Sequence, residues 1–182
     1  ENPARLTILI GYGYSLFQKT GITDKWPIAE KAIPGYQIDR LEKRWSDGDL
    51  VVQITGDNPQ AIFHAALVLE RDAAPFATVR WQQRGFLDPA GVNTEEVSRN
   101  LLGQLDGTAN KAVASKEFDE IVWAKEGGLT NGTTMVVRRI RMALDTWNKV
   151  STASKSGVIG RSLEDGELLE STSATAHQGR AF

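Results

Sequence analysis

The chain has 182 residues, of which 41% are apolar and 24% charged, with a net charge of −2; this is the composition of a globular protein able to bury one large core or two small ones. No polybasic run gives nucleic acid a footprint, and no apolar stretch approaches the roughly 20 residues that cross a bilayer. The absence of cysteine excludes disulfides, thiolate nucleophiles, iron–sulfur clusters and thiolate-ligated iron.

Leu6 to Gly11 is a β-branched apolar run closed by Gly11 and Gly13, and reads as a buried strand. Gly11-Tyr12-Gly13 suggests half of a dinucleotide fingerprint, but the third glycine and the following helical pattern are missing. Pro27 suits the first turn of a short helix through Ala32, and Pro34-Gly35 breaks the chain. Tyr36 to Asp49 reads as loop, and Leu50 to Thr55 alternates as a second strand. Asn58-Pro59 is a helix start, and Ala61, Ile62, Ala65, Ala66 and Leu69 recur at helical spacing over residues 59 to 71. Between Phe63 and Ala65, His64 reads as a packed, hydrogen-bonded histidine rather than a ligand.

Phe76 to Gln83 reads as a third strand, giving the strand and helix order of a ferredoxin-like α+β unit. The turn-rich connector from Leu87 to Val97 separates a first half, residues 1–90, from a second, residues 91–182. In the second half, Glu120 to Ala124 and Thr134 to Met142 read as strands. Val136, Arg138, Ile140 and Met142 then face one way, and Val137, Arg139 and Arg141 the other. A solvated sheet face accounts for Arg139 and Arg141; the sharper reading is that one of these arginines meets an anion partner. Leu144 and Trp147 open a short helix, Ser151 to Gly160 is small and polar, and the chain from Asp165 onward reads as loop or tail.

The stretch that carries the most chemistry is Arg99 to Asn110, RNLLGQLDGTAN, a Gly-x-x-Asp-Gly core in which two glycines flank one carboxylate. Glycines there let the backbone turn sharply and approach a flat ligand, with Asp106 aimed inward. Alone, an Asp-Gly-Thr turn is common. Together with LTILIGYG at residues 6–13, GDLVVQITGDNPQAIFHAAL at 48–67, RWQQRGF at 80–86, TMVVRRIRMALDTW at 134–147 and VIGR at 158–161, it resembles the dye-decolorizing (DyP-type) haem peroxidases. Only Leu102 departs from that family's usual reading of the motif, which has Met there.

The resemblance implies an α+β fold of tandem ferredoxin-like halves, with antiparallel sheets flanked by helices, holding haem b. It implies hydrogen-peroxide-dependent one-electron oxidation of bulky dyes or phenols. Asp106 would assist peroxide cleavage on the distal face. Gly103, Gly107, Thr108, Ala109 and Asn110 would line the haem, and Arg138 would meet a propionate. His177, 71 positions after Asp106, would be the axial ligand, although the family's His-x-Arg reads His177-Gln178-Gly179-Arg180 here. The family's distal arginine lies farther past that histidine than Arg180 does, so a second chain, a homo-oligomer or a further C-terminal region would supply it.

Trp45, Trp81, Trp123, Trp147 and Tyr36 are the available surface relays for bulky reductants. Family members carry an additional strand and helix before the Leu6 block and extend beyond Phe182; with the start at Glu1, this suggests a processed or truncated chain, with a lean toward export. The alternatives are a haem-binding, iron-releasing protein of the iron-uptake type with low turnover, and an inactive fragment.

Overall fold

The computed structural model describes residues 3–22, 33–87, 97–125 and 130–169. These fall into two compact units, the first from residues 1–85 and 113–135 and the second from 86–112 and 136–182.

In the first unit, β1 (Thr7–Tyr12) and β2 (Leu50–Thr55) pair antiparallel in register from Thr7 opposite Thr55 to Tyr12 opposite Leu50. The β-branched residues in both segments favour this pleated geometry. Helix α1 (Tyr14–Thr20) follows β1 directly. Gly13 precedes it without a capping side chain, and Asp49, the residue just before β2, takes over that role: its carbonyl accepts from Gly13 N at 2.8 Å, and its carboxylate accepts from Ser15 Oγ and Lys19 Nζ, both at 2.6 Å. Hydrogen bonds from Lys19, then Ser15, hold the Asp49 carboxyl below the usual carboxylate range. Gly21 ends α1 in the left-handed conformation at φ 70°.

Helix α2 (Pro59–Ala73) begins as its sequence predicts: Asn58 Oδ1 accepts from Gln60 N at 2.8 Å, with proline in the first turn, and the helix packs on β2. His64 on α2 is exposed, and its side chain makes no hydrogen bond among the described residues, which corrects the expectation of a packed histidine.

Strand expectations also change. β1 forms but is not buried: Ile8, Leu9 and Ile10 keep 45%, 45% and 56% of their surface, because a two-stranded ladder has no further described layer over both faces. Phe76 to Gln83 forms no strand. Its side chains instead clip the 43–47 loop, with Arg80 Nε donating to the Ser46 carbonyl at 2.7 Å and Trp81 Nε1 to that of Asp47 at 3.1 Å. The expected strand at Glu120 to Ala124 lies mostly in helix α3 (Lys116–Val122), which Ser115 caps by accepting from Phe118 N.

The second unit contains α4 (Leu144–Trp147) and α5 (Thr152–Ile159). The stretch read as small and polar is therefore helical, capped by Ser151 Oγ and closed by Gly160 at φ 80°. Thr134 to Met142 is not a strand: among the described residues it joins no ladder, and alternation alone does not make one. Phe17 is the buried apolar side chain among the described residues, so the expected large core is not assembled by them. The short helix expected after Pro27 lies outside the described residues. No described helix is long and apolar enough to cross a membrane.

Candidate functional site

The Arg99 to Asn110 stretch forms a tight hairpin in the second unit. Arg99 and Leu105 make an antiparallel bridge, Asn100 N donates to the Gln104 carbonyl at 2.9 Å, and Asp106 N donates to that of Ser98 at 2.9 Å. The turn is held by one side chain: Asn100 Oδ1 accepts from Leu102 N at 3.0 Å and Gln104 N at 3.3 Å. Asparagine suits this position because its short carbonyl mimics a backbone turn acceptor. Gly103 sits at φ 83° and Gly107 at φ 106°, where a Cβ is strained. A Cβ on Gly107 would also stand 2.9 Å from Asn110 Nδ2.

Two further contacts fix the hairpin. The Arg99 guanidinium donates to the carbonyls of Gly103 at 2.8 Å, Leu163 at 2.6 Å and Glu164 at 2.9 Å. Trp147 Nε1, from the end of α4, donates to the Leu102 carbonyl at 2.8 Å. The 162–167 turn closes against the loop through Gly166, where a Cβ would meet Thr108 Cγ2 at 2.9 Å. In that turn, hydrogen bonds from Ser162, then Glu167 N, hold the Asp165 carboxyl below its ordinary range.

The loop displays its residues unevenly. Asp106, Thr108, Ala109 and Asn110 are exposed, Gly103 and Gly107 half-buried, and Gln104 retains only 3% of its surface. Asp106 is thus an exposed carboxylate on a braced loop, which corrects the expectation that it is aimed inward. Gln104 Nε2 is buried without a hydrogen-bond partner among the described residues. Sequence reasoning passed over Gln104 as a variable position, and its signal was a polar amide in an otherwise apolar lead-in.

Arg138 is exposed, and no cluster of histidine and acidic side chains suited to a metal occurs among the described residues. His177 and Arg180 lie outside them. Of the relay candidates, Trp45 and Trp81 are half-buried, Trp147 is half-buried and hydrogen-bonded, and Trp123 and Tyr36 retain 42% and 50% of their surface. Arg44 stacks over the Trp45 ring at 5.2 Å.

Two family models match: "Dyp-type peroxidase, N-terminal" over residues 1–87 and "Dyp-type peroxidase, C-terminal" over residues 97–182. The chain belongs to the DyP-type peroxidase family. It is 36% identical over 181 residues to a dye-decolorizing peroxidase from Thermobifida fusca, covering 95% of this chain and 42% of that one. To a deferrochelatase from Escherichia coli it is 27% identical, covering 92% of this chain and 42% of the relative.

Among solved structures, ferric DtpA from Streptomyces lividans superposes with a TM-score of 0.81 at 40% identity, over 91% of this chain and 45% of that one. A DyP-type peroxidase from Cellulomonas bogoriensis superposes with a TM-score of 0.80 at 40% identity, over 92% and 47%. The fold is the α+β fold of that family, with an antiparallel sheet and flanking helices. The chain spans less than half the length of these relatives.

Proposed function

We propose that this chain carries the distal half-site of a haem b peroxidase that uses hydrogen peroxide to oxidise bulky dyes or phenols. The observation that carries the reading is the Asp106 hairpin: an exposed carboxylate between two left-handed glycines, on a loop held by Asn100, Arg99 and Trp147. The loop suits a flat group, since its backbone at Gly103 and Gly107, both at positive φ, offers close approach.

When bound, haem supplies the redox-active iron on which peroxide is reduced. The residues of the chain would do the rest. Asp106 would take a proton from one peroxide oxygen and return it to the other, so that the leaving oxygen departs as water. Gly103 and Gly107 would keep that carboxylate within reach, and Gly107 to Asn110 would cover the ring. Arg138 would neutralise a propionate and His177 would ligate the iron. Trp123 and Tyr36, the most exposed relay candidates, would pass electrons from reductants too large to enter.

The same reading takes the two family-model segments as tandem ferredoxin-like halves, residues 1–90 and 91–182. It leaves the distal arginine to a second chain or to further polypeptide. The second reading, haem binding with iron release and little turnover, is favoured by the deferrochelatases among the relatives. Absorption spectra of the chain with hemin, before and after stoichiometric hydrogen peroxide, separate the two. A sharp Soret band that shifts on peroxide supports the peroxidase; a sharp band that does not shift supports the second reading. No band at all removes both.

A further inference from the structure

Arg99 opens the hairpin that presents Asp106, and its guanidinium joins that hairpin to a distant turn. Its three hydrogen bonds all go to backbone carbonyls: Gly103 within the hairpin, and Leu163 and Glu164 at 64 and 65 positions farther along. The receiving turn is held by other groups. Ser162 N donates to the Glu167 carbonyl at 2.8 Å, Arg161 Nη1 to that of Gly166 at 2.8 Å, and Leu163 N to Ser156 Oγ of α5 at 3.0 Å.

The same turn meets the hairpin a second time. Gly166 is buried, and a Cβ on it would lie 2.9 Å from Thr108 Cγ2 and 3.2 Å from Leu105 Cδ1. The turn therefore contacts the chain at Gly103 and Leu105 before Asp106 and at Thr108 after it. Leu105 is itself bridged to Arg99, and Asp106 N donates to the Ser98 carbonyl. Because the Asp106 side chain is exposed, its place is set by the backbone that carries it rather than by packing around it.

We propose that Arg99 is a positioning residue for the peroxide chemistry: it seats the Asp106 hairpin on the 162–167 turn and so fixes where the Asp106 carboxylate exchanges its proton. The inference rests on the peroxidase reading above. Arg99 acts through Asp106 and needs no contact with peroxide or haem. Lysine there keeps the charge but has one nitrogen where two guanidinium nitrogens reach three carbonyls, so charge alone does not serve. Misplacing a reacting group by about 1 Å costs up to about 100-fold in rate.

The test uses the full chain with Arg99→Lys, Arg99→Met and Asp106→Asn, and the double variant of Arg99→Lys with Asp106→Asn. Amide hydrogen exchange is followed by NMR in the free proteins, and the hemin-loaded proteins are mixed with hydrogen peroxide in stopped flow. In both Arg99 variants, exchange at Asp106 N is expected to be about tenfold faster, with β1 and β2 unchanged. The peroxide-driven spectral change is expected to slow about tenfold or more. Added to Asp106→Asn, Arg99→Lys is expected to slow it by less than about twofold, because a missing proton acceptor cannot be mispositioned.

Parent-like exchange or a parent-like rate in Arg99→Lys overturns the assignment. Faster exchange that extends to β1 and β2 also overturns it, since the effect is then on the whole fold. So does slowing that persists in full alongside Asp106→Asn. If Arg99→Met does not fold, Arg99→Lys carries the comparison. A hemin-loaded parent whose spectrum does not respond to peroxide defeats the peroxidase reading, and this inference falls with it.

Discussion

Trp147 and Leu102, 45 residues apart, are joined by the indole Nε1–H donating to the Leu102 carbonyl at 2.8 Å. This bond ties the end of α4 to the turn that presents Asp106, and the Lys155 ammonium lies 5.8 Å from the centre of the same ring. Trp147→Phe keeps most of the packing and deletes the bond, so it is expected to lower the unfolding free energy by about 1 kcal/mol. Trp123→Phe, at an exposed ring without such a bond, is expected to stay within about 0.5 kcal/mol of the parent. Urea midpoints of the two variants make the comparison, and equal losses would mean the 147–102 link carries no stability.

Asp106→Asn preserves the shape of the loop and removes the proton acceptor. The expected outcome is unchanged folding and hemin binding, with the peroxide-driven spectral change slowed about 100-fold or more. Stopped-flow absorption after mixing with hydrogen peroxide reads this directly. Unaltered rates would take Asp106 out of the proton transfer.

Two glycines make opposite predictions from local geometry. At Gly13 a Cβ would collide with the backbone carbonyl oxygen of Gly48, which cannot move away as a side chain can, so Gly13→Ala is expected to cost about 2 kcal/mol or more. Gly157 lies in α5 with open space around its missing Cβ, and Gly157→Ala is expected to stabilise by about 0.5–1 kcal/mol. Thermal melts of the pair check both signs.

The Asp49 cluster sets an acid dependence. Its carboxyl is held below the ordinary range in the folded chain by Lys19 and Ser15, so the unfolded chain takes up that proton first as pH falls. The stabilisation is fully present above the ordinary carboxylate pKa of about 3.9 and disappears as pH drops through the lower folded value. Melting temperatures of the parent and Asp49→Asn should differ most near neutral pH and converge on acidification. A gap that stays constant with pH would assign the loss to the Asn side chain's geometry instead.

Local chemistry was legible in the sequence wherever one segment decides its own conformation. β1 and β2 follow from their β-branched runs, α2 from Asn58-Pro59 and its apolar spacing, and the 99–110 turn from two glycines around an aspartate. The family, too, was readable from motif order alone. What failed were segments whose state depends on partners. Thr134 to Met142 has the alternation of a strand but forms no ladder among the described residues, and Phe76 to Gln83 gives its hydrogen-bonding side chains to a loop instead of a sheet.

The site divides the same way. Asp106 and its glycines announce themselves because φ > 0 positions and a lone carboxylate leave a sequence signature. By itself, then, the sequence determined the family, the conformation of the Asp106 turn and the segments that cap and pair locally. Tertiary structure alone decided that Arg99 reaches the Leu163 and Glu164 carbonyls, that Trp147 reaches Leu102, and that Gln104 is buried. Those facts depend on which distant backbone groups come within about 3 Å, a distance that periodicity and composition do not encode.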